Sequence, residues 1–387
     1  MNVMIYLDNS ATSWPKPPEV KKAMVKFLEE VGANPGRSGH LLSIEAARIL
    51  YEAREVLATL FNVKDPLRII FTLNATESIN LALKGLLKSG DHVITSSLEH
   101  NSVMRPLRTL ERTGVELSVI SSSEKGFLDP AAVKKKIKTH TRMIVLNHAS
   151  NVIGTLLPVQ EVGTIARDHD LIFLVDAAQT AGSYPIDVEE SKIDLLAFTG
   201  HKSLYGPQGT GGLVIGNRIN EKEFTPLKQG GTGSRSEFEE QPDFLPDRFE
   251  SGTPNGVGIA GLLAGIQFAS LRGIESIRRH EMMLFEKLAG GLKDIPRITL
   301  YGSQNRNERI ATLSFTIAGL PPSEVAIRLE RKFKVLCRPG LHCAPSAHRT
   351  IGTFPEGTVR LSIGAFNTEE DIRKAIDAVA QISASSA

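Results

Sequence analysis

The feature that most constrains the fold is an alternation between residues 68 and 215, where short apolar runs are each followed by a stretch with helical spacing. Residues 68–72 form a β-branched run, and residues 75–88 then repeat apolar side chains at Ile79, Leu83, Leu86 and Leu87. The pattern recurs: strand His92–Ser96 before helix 102–112, strand 115–120 before a helix opening at Pro130, strand 143–147 before helix 159–167, then strands 171–176, 194–199 and 212–215. Apolar runs of this kind are buried on both faces, so the pattern predicts a mostly parallel sheet between helices. Ligands in such folds bind beyond the carboxyl ends of the strands. That directs attention to residues 74–76, 99–100, 147–151, 176–179 and 199–202.

A chain of 387 residues is long enough for two domains. Residues 228–255 break the pattern with Gly, Pro and charge and read as an extended loop or hairpin. A helical stretch follows from Gly256, then a second α/β segment with strands at 311–317 and 359–363 and helices at 322–332 and 368–380. A smaller domain is expected to start near Gly256. Residues 1–65 show no parallel-sheet pattern and are expected to pack elsewhere. The last residues, 383–387, are small and polar and are expected to fray.

A formal net charge of +2 gives no sign of nucleic-acid binding. The longest apolar stretch, residues 256–269, is too short for a bilayer, which needs roughly 20 residues. Residues 1–8 lack a signal-peptide pattern. Two cysteines, Cys337 and Cys343, make no disulfide framework, so a reducing, cytoplasmic setting is expected.

The strongest chemical signal is Ala197-Phe198-Thr199-Gly200-His201-Lys202, an apolar strand ending in a polar turn that presents one lysine. Such a lysine is placed to form a Schiff base with a carbonyl cofactor. Taken alone, it reads more readily as a surface lysine. Asp176 changes the balance: it ends the apolar run 171–176, where a carboxylate can pair with a pyridine nitrogen and keep it charged. Gln179 could hydrogen-bond a ring oxygen. The turn Asn74-Ala75-Thr76-Glu77 opens a helix, whose free N–H groups suit a phosphate. His100 could stack on a flat ring.

The second signal is Arg338-Pro339-Gly340-Leu341-His342-Cys343-Ala344-Pro345. Cys343 sits in a Gly/Pro-framed loop, with Arg338 and His342 nearby to favour a thiolate. Cys337 fits a buried, inert thiol better. The spacing of Cys337, His342, Cys343 and His348 matches no usual zinc pattern, so no metal is expected. Arg360, a charge in an apolar strand, could clamp a substrate carboxylate or form a structural ion pair. Residues 256–261 match Gly-x-Gly-x-x-Gly, the basis of a competing nicotinamide-dehydrogenase reading, but polar residues and Pro254 precede them where that motif needs a buried strand. They read as close helix packing.

These sites, in this order, resemble the cysteine desulfurases of the class V aminotransferase family, fold type I pyridoxal-phosphate enzymes. The resemblance runs from Leu7-Asp8-Asn9-Ser10-Ala11 to about Asp377 and includes Ser150-Asn151-Val152-Ile153-Gly154; the short run before Cys343 is similar to the Suf-type (type II) group. It implies a large domain (16–255) with a seven-stranded, mostly parallel sheet, a small carboxyl-terminal α/β domain with its linking helix (256–387), and an amino-terminal segment (1–15) joining the small domain. It implies that Lys202 carries pyridoxal 5'-phosphate, that His100 stacks on the ring and relays protons, and that Asp176 and Gln179 bind the ring. Ala75, Thr76, Thr199 and His201 would hold the phosphate, with Thr253 reaching it from a partner subunit in a homodimer with shared sites. Asn151, Arg360, Arg338 and His40 would contact substrate. The implied activity converts L-cysteine to L-alanine, with the sulfur passing to Cys343 as a persulfide and on to an acceptor protein, as in iron–sulfur cluster assembly. A selenocysteine lyase would use the same site. Leu341 stands where the family often has a histidine, and Thr199 where serine is common. The segment Gly230 to Phe249 belongs to a subset of the family and bears on partner choice.

Overall fold

The computed structural model describes residues 4–36 and 39–385. Strand β1 (Ile5–Tyr6) and helices α1 (Pro18–Lys26) and α2 (Leu41–Phe61) precede the main sheet. That sheet holds β2 (Ile69–Thr72), β3 (His92–Ser96), β4 (Glu116–Ile120), β5 (Thr141–Asn147), β6 (Ile172–Asp176), β7 (Leu195–Thr199) and β8 (Gly211–Ile215), in the order β2-β8-β7-β6-β5-β3-β4. The neighbours from β4 to β7 are parallel, and β8 runs antiparallel to both β7 and β2. Between the strands lie α3 (Ala75–Leu86), α4 (Asn101–Glu111), α5 (Pro130–Lys135) and α6 (Val159–Asp168).

Successive residues of a strand face opposite sides, and here both sides are apolar. Met143, Val145, Leu174 and Leu195 enter one core with α3 and α4. Ile144, Leu146, Phe173 and Leu196 enter the other, with α6 and the end of α2. The crossover helices therefore cover the sheet, and its carboxyl edge is left to the loops.

Helix α7 (Gly256–Arg272) packs on α1 and α2 and is followed by α8 (Ile274–Lys293). The glycines of the 256–261 run lie inside α7, not in a nucleotide loop. Farther along the same helix, a Cβ on Gly265 would stand 2.4 Å from the Leu204 carbonyl oxygen, so only glycine lets α7 approach the turn after Lys202. No single helix among the described residues is long and apolar enough to cross a membrane.

A second sheet, β12-β13-β10-β9, combines β9 (Ile298–Tyr301), β10 (Thr312–Ile317), β12 (Arg338–Gly340) and β13 (Thr358–Ser362). Helices α8, α9 (Pro322–Phe333) and α11 (Glu369–Ala384) cover it and share its own core around Leu313, Phe315 and Leu361. Strand β1 pairs in parallel with β11 (Val335–Leu336), so the start of the chain docks on this second unit. Short α10 (Pro345–Thr350) follows the cysteine loop. The fraying expected at 383–387 is corrected in part: α11 continues through Ala384 because Ser383 is buried and its hydroxyl donates to Pro296 O at 2.7 Å. Residues 386 and 387 lie outside the described residues.

Candidate active site

The carboxyl ends of β2, β3, β5, β6 and β7 converge on a cavity of about 290 Å³. Lys202 enters it from the turn after β7. That turn is held from inside by Gly200 N–H to Thr210 O at 2.8 Å and Gly206 N–H to Gly200 O at 2.8 Å. It is also held from outside by a clasp that sequence reasoning missed. The Thr12 hydroxyl (2.9 Å), the Ser13 amide (3.1 Å) and the Lys16 ammonium (2.7 Å) all donate to the His201 carbonyl, and the Ser13 hydroxyl donates to Lys202 O at 2.8 Å. Nothing in the spacing of Thr12, Ser13 and Lys16 marks them, because their partner lies far along the chain.

Burial pushes the Lys202 amine down to about 8, with Asp176 opposing the shift and Arg360 and Arg338 adding to it. A neutral amine is then accessible near physiological pH. Asp176 is also buried, which raises its carboxyl; the Ala178 N–H at 2.9 Å and the charge of Lys202 work against that rise. Gln179 follows on the same loop and donates to Ser10 O at 3.2 Å. His100 caps α4: its Nδ1 accepts the Ser102 N–H at 3.0 Å, which leaves Nε2 as the proton-bearing nitrogen. Burial, then the charge of Lys202, pushes it down to about 4, so the ring is neutral.

One side of the cavity suits a phosphate. Asn74 caps α3 through its side chain, taking the Glu77 N–H at 3.0 Å, and the Ala75 and Thr76 amides open the helix with no acceptor within it. Thr199 Oγ1 and His201 Nδ1 are buried there without a hydrogen-bond partner. On another side, Arg360 is 1% exposed and pairs with Asp8 at 2.7 Å while donating to Asn151 O at 3.0 Å. The ion-pair reading of Arg360 is thus present, yet its Nε and Asn151 Oδ1 are buried without partners.

Cys343 is exposed beside the cavity. Arg338, which lines the cavity, donates to its Sγ at 3.4 Å. Both His342 and Cys343 have positive φ (48° and 59°), and the loop is pinned by Asn151 Nδ2–H to His342 O at 2.7 Å and Asn101 N–H to Cys343 O at 2.8 Å. Cys337 differs: burial pushes its thiol up to about 12. Cys343 is not itself among the lining residues, and within one chain two further residues implied by the resemblance do not line the cavity either. His40 is exposed and caps α2, and exposed Thr253 lines a separate hollow beside Gly209 and Glu250. No three His, Cys, Asp or Glu side chains among the described residues are grouped to hold a metal ion.

The arrangement therefore offers an amine of lowered basicity, a facing carboxylate, an anion cradle and a reachable thiol. Comparison with known proteins points the same way. The family model described as Aminotransferase class-V matches residues 5–374. A probable cysteine desulfurase of Methanothermobacter thermautotrophicus is 37% identical over 95% of this chain and 92% of its own length. One of Pyrococcus abyssi is 36% identical over the same shares. The apo structure of the cysteine desulfurase of Thermococcus onnurineus NA1 superposes with a TM-score of 0.93 at 34% identity, covering 99% of this chain and 95% of that one. The Escherichia coli cysteine desulfurase CsdA gives 0.88 at 28% identity, covering 99% and 96%. With that span matched from the first strand to the last helix, this chain belongs to the class V aminotransferase family.

Proposed function

We propose that the protein is a pyridoxal-phosphate-dependent cysteine desulfurase that converts L-cysteine to L-alanine and takes the sulfur onto Cys343. The observation that carries this reading is the convergence of Lys202 and Asp176 on one cavity whose wall residue, Arg338, holds the Cys343 thiol. The unpartnered buried atoms Thr199 Oγ1 and His201 Nδ1, with the α3 amides, fit a phosphate group. Lys202 would hold the cofactor covalently, Asp176 and Gln179 would bind its ring edge, and His100 would lie against its face. The cofactor supplies, when bound, a conjugated ring that stores the electron pair left at the substrate α-carbon.

The chain's own groups do the rest. Arg360 and Asn151 bind the substrate carboxylate. Once the substrate amine has displaced Lys202 from the cofactor, the freed Lys202 amine, of lowered basicity, would accept the α-proton. The Cys343 thiolate attacks the substrate sulfur; the bonding pair of the broken carbon–sulfur bond stays with the carbon skeleton, which takes a proton and leaves as alanine. Purified protein should be yellow. Lys202→Ala should lose the visible band, and Cys343→Ala should keep it while losing alanine formation. Unchanged cysteine turnover in Cys343→Ala would refute the persulfide role.

The short run before Cys343 supports placing the chain in the Suf-type group. Residues 16–255 form the cofactor domain in this reading, 256–387 the linking helix and small domain, and 1–15 an amino-terminal segment joining the small domain. Exposed Leu41, Leu42, Ile44 and Tyr51 on α2, with Leu28 just beyond α1, support a homodimer, in which Thr253 and His40 would reach the neighbouring site. Sedimentation of the holoenzyme tests this: a monomer at micromolar concentration refutes it. An acceptor protein would then take the persulfide sulfur, and the free cysteines fit a reducing, cytoplasmic setting.

A further inference from the structure

Glu99 is the residue before His100, and its role is not accounted for by the chemistry above. Its side chain is fully buried. One carboxyl oxygen, Oε1, accepts the Ser96 hydroxyl at 2.6 Å and the Asn147 N–H at 3.1 Å; the other, Oε2, is buried without a partner. No Lys, Arg or His is among these hydrogen-bond partners. A carboxylate in such a place would be an uncompensated buried charge, which proteins avoid by keeping the acid protonated.

The contacts of Asn147 explain why the position matters. Its side-chain N–H returns to Leu98 O at 3.0 Å, so the 96–99 turn and the end of β5 hold each other reciprocally. Asn147 is also the register partner of Asp176, and the next amide, His148 N–H, donates to Asp176 O at 2.9 Å. Three strand ends are thereby locked together, those that present His100, Asn147 and Asp176 to the cavity.

We propose that Glu99 is a positioning residue which, in its uncharged form, fixes His100 and Asp176 relative to one another through Asn147. The proposal rests on reading this cavity as the pyridoxal site. Burial pushes the Glu99 carboxyl up to about 8; the Ser96 and Asn147 hydrogen bonds oppose the rise, and the negative charge of Asp176 adds to it. With Glu99 uncharged, Asp176, which lines the cavity, would be the one negative charge of this pair available to a bound ring. Glutamine can accept the same two hydrogen bonds. Methionine fills a similar volume and accepts neither, which strands the Asn147 N–H.

The test uses the full-length holoenzyme as wild type, Glu99→Gln and Glu99→Met. The readouts are the visible absorbance of the cofactor, kcat and KM for L-cysteine, and the infrared carbonyl stretch of protonated carboxyl groups at pH 6.5, a value chosen about 1.5 units below the shifted carboxyl. Glu99→Gln should keep the absorbance maximum and hold kcat within about threefold, and its difference spectrum against wild type should show the loss of one protonated-carboxyl band. Glu99→Met should shift the absorbance maximum and lower kcat by about tenfold or more with little change in KM, because geometry is lost and binding is not. Wild-type absorbance and kcat in Glu99→Met overturn the positioning role. A missing infrared band, or a Glu99→Gln variant as impaired as Glu99→Met, overturns the uncharged form. A colourless wild type refutes the cofactor reading instead, and the infrared comparison, which needs no cofactor, still decides the state of Glu99.

Discussion

Replacing Asp8 by alanine removes the carboxylate partner of a guanidinium that is 1% exposed. At an effective dielectric constant of about 20, two unit charges held 2.7 Å apart attract by ~6 kcal/mol. Asp8 is 21% exposed, and water around it weakens that figure. Breaking buried pairs costs about 3–5 kcal/mol, much of it from the stranded charge. Arg360 keeps its bond to Asn151 O, so the lower end of that range applies. The assay is a double-mutant cycle of wild type, Asp8→Ala, Arg360→Met and the double variant, each unfolded in urea at pH 7 without added cofactor. The coupling should be about 3 kcal/mol, with the double variant more stable than the sum of the single effects allows. Additivity within about 0.5 kcal/mol would refute the argument and show that Asn151 and solvent suffice to hold Arg360.

Glycine positions give a matched pair. Gly265→Ala places a methyl 2.4 Å from Leu204 O and should cost about 3 kcal/mol or abolish soluble expression, whereas Gly290→Ala, with nothing within 4 Å inside α8, should stabilise by up to ~1 kcal/mol; thermal unfolding of both decides it. A thiol reagent offered to the native protein should label exposed Cys343 and spare Cys337, whose thiol burial pushes up to about 12; mass spectrometry showing two adducts before unfolding would contradict this. The Lys202 amine is lowered from 10.5 to about 8, so the unfolded chain binds more protons between those values, and this group's contribution to stability rises with pH across that window. Without cofactor, Lys202→Met should therefore be more stable than wild type at pH 7, with the gap closing as pH approaches 10.5, measured by urea midpoints.

The strands of the main sheet were legible because each is apolar on both faces and is followed by a helical repeat; β3 lies at the positions read from the sequence, and the others shift by one or two residues. The turns flagged at their carboxyl ends do converge on one cavity, since a parallel sheet leaves that edge open. Other parts were hidden for physical reasons. Helix α2 has 21 residues, but Leu41, Leu42, Ile44 and Tyr51 are exposed apolar residues that blur its periodicity. β1 and β11 are two residues each, too short to show a pattern. The ion pair of Arg360 with Asp8 and the contacts of Lys16 with His201 and of Glu99 with Asn147 depend on partners that only folding brings close. The pairing of β1 with β11 is equally non-local.

The clasp on the lysine turn also sets an order of events during synthesis. Thr12, Ser13 and Lys16 are made long before their moorings: the segment that bears them is tied by Asp8 to Arg360, 352 positions later, and by β1 to β11. The main sheet can form from a nascent chain that ends before residue 300, since all seven of its strands have been made by then. The moorings cannot. Closure of the clasp on the turn accordingly comes later than the main sheet, set by long-range chain closure and not by the local propensity of either half.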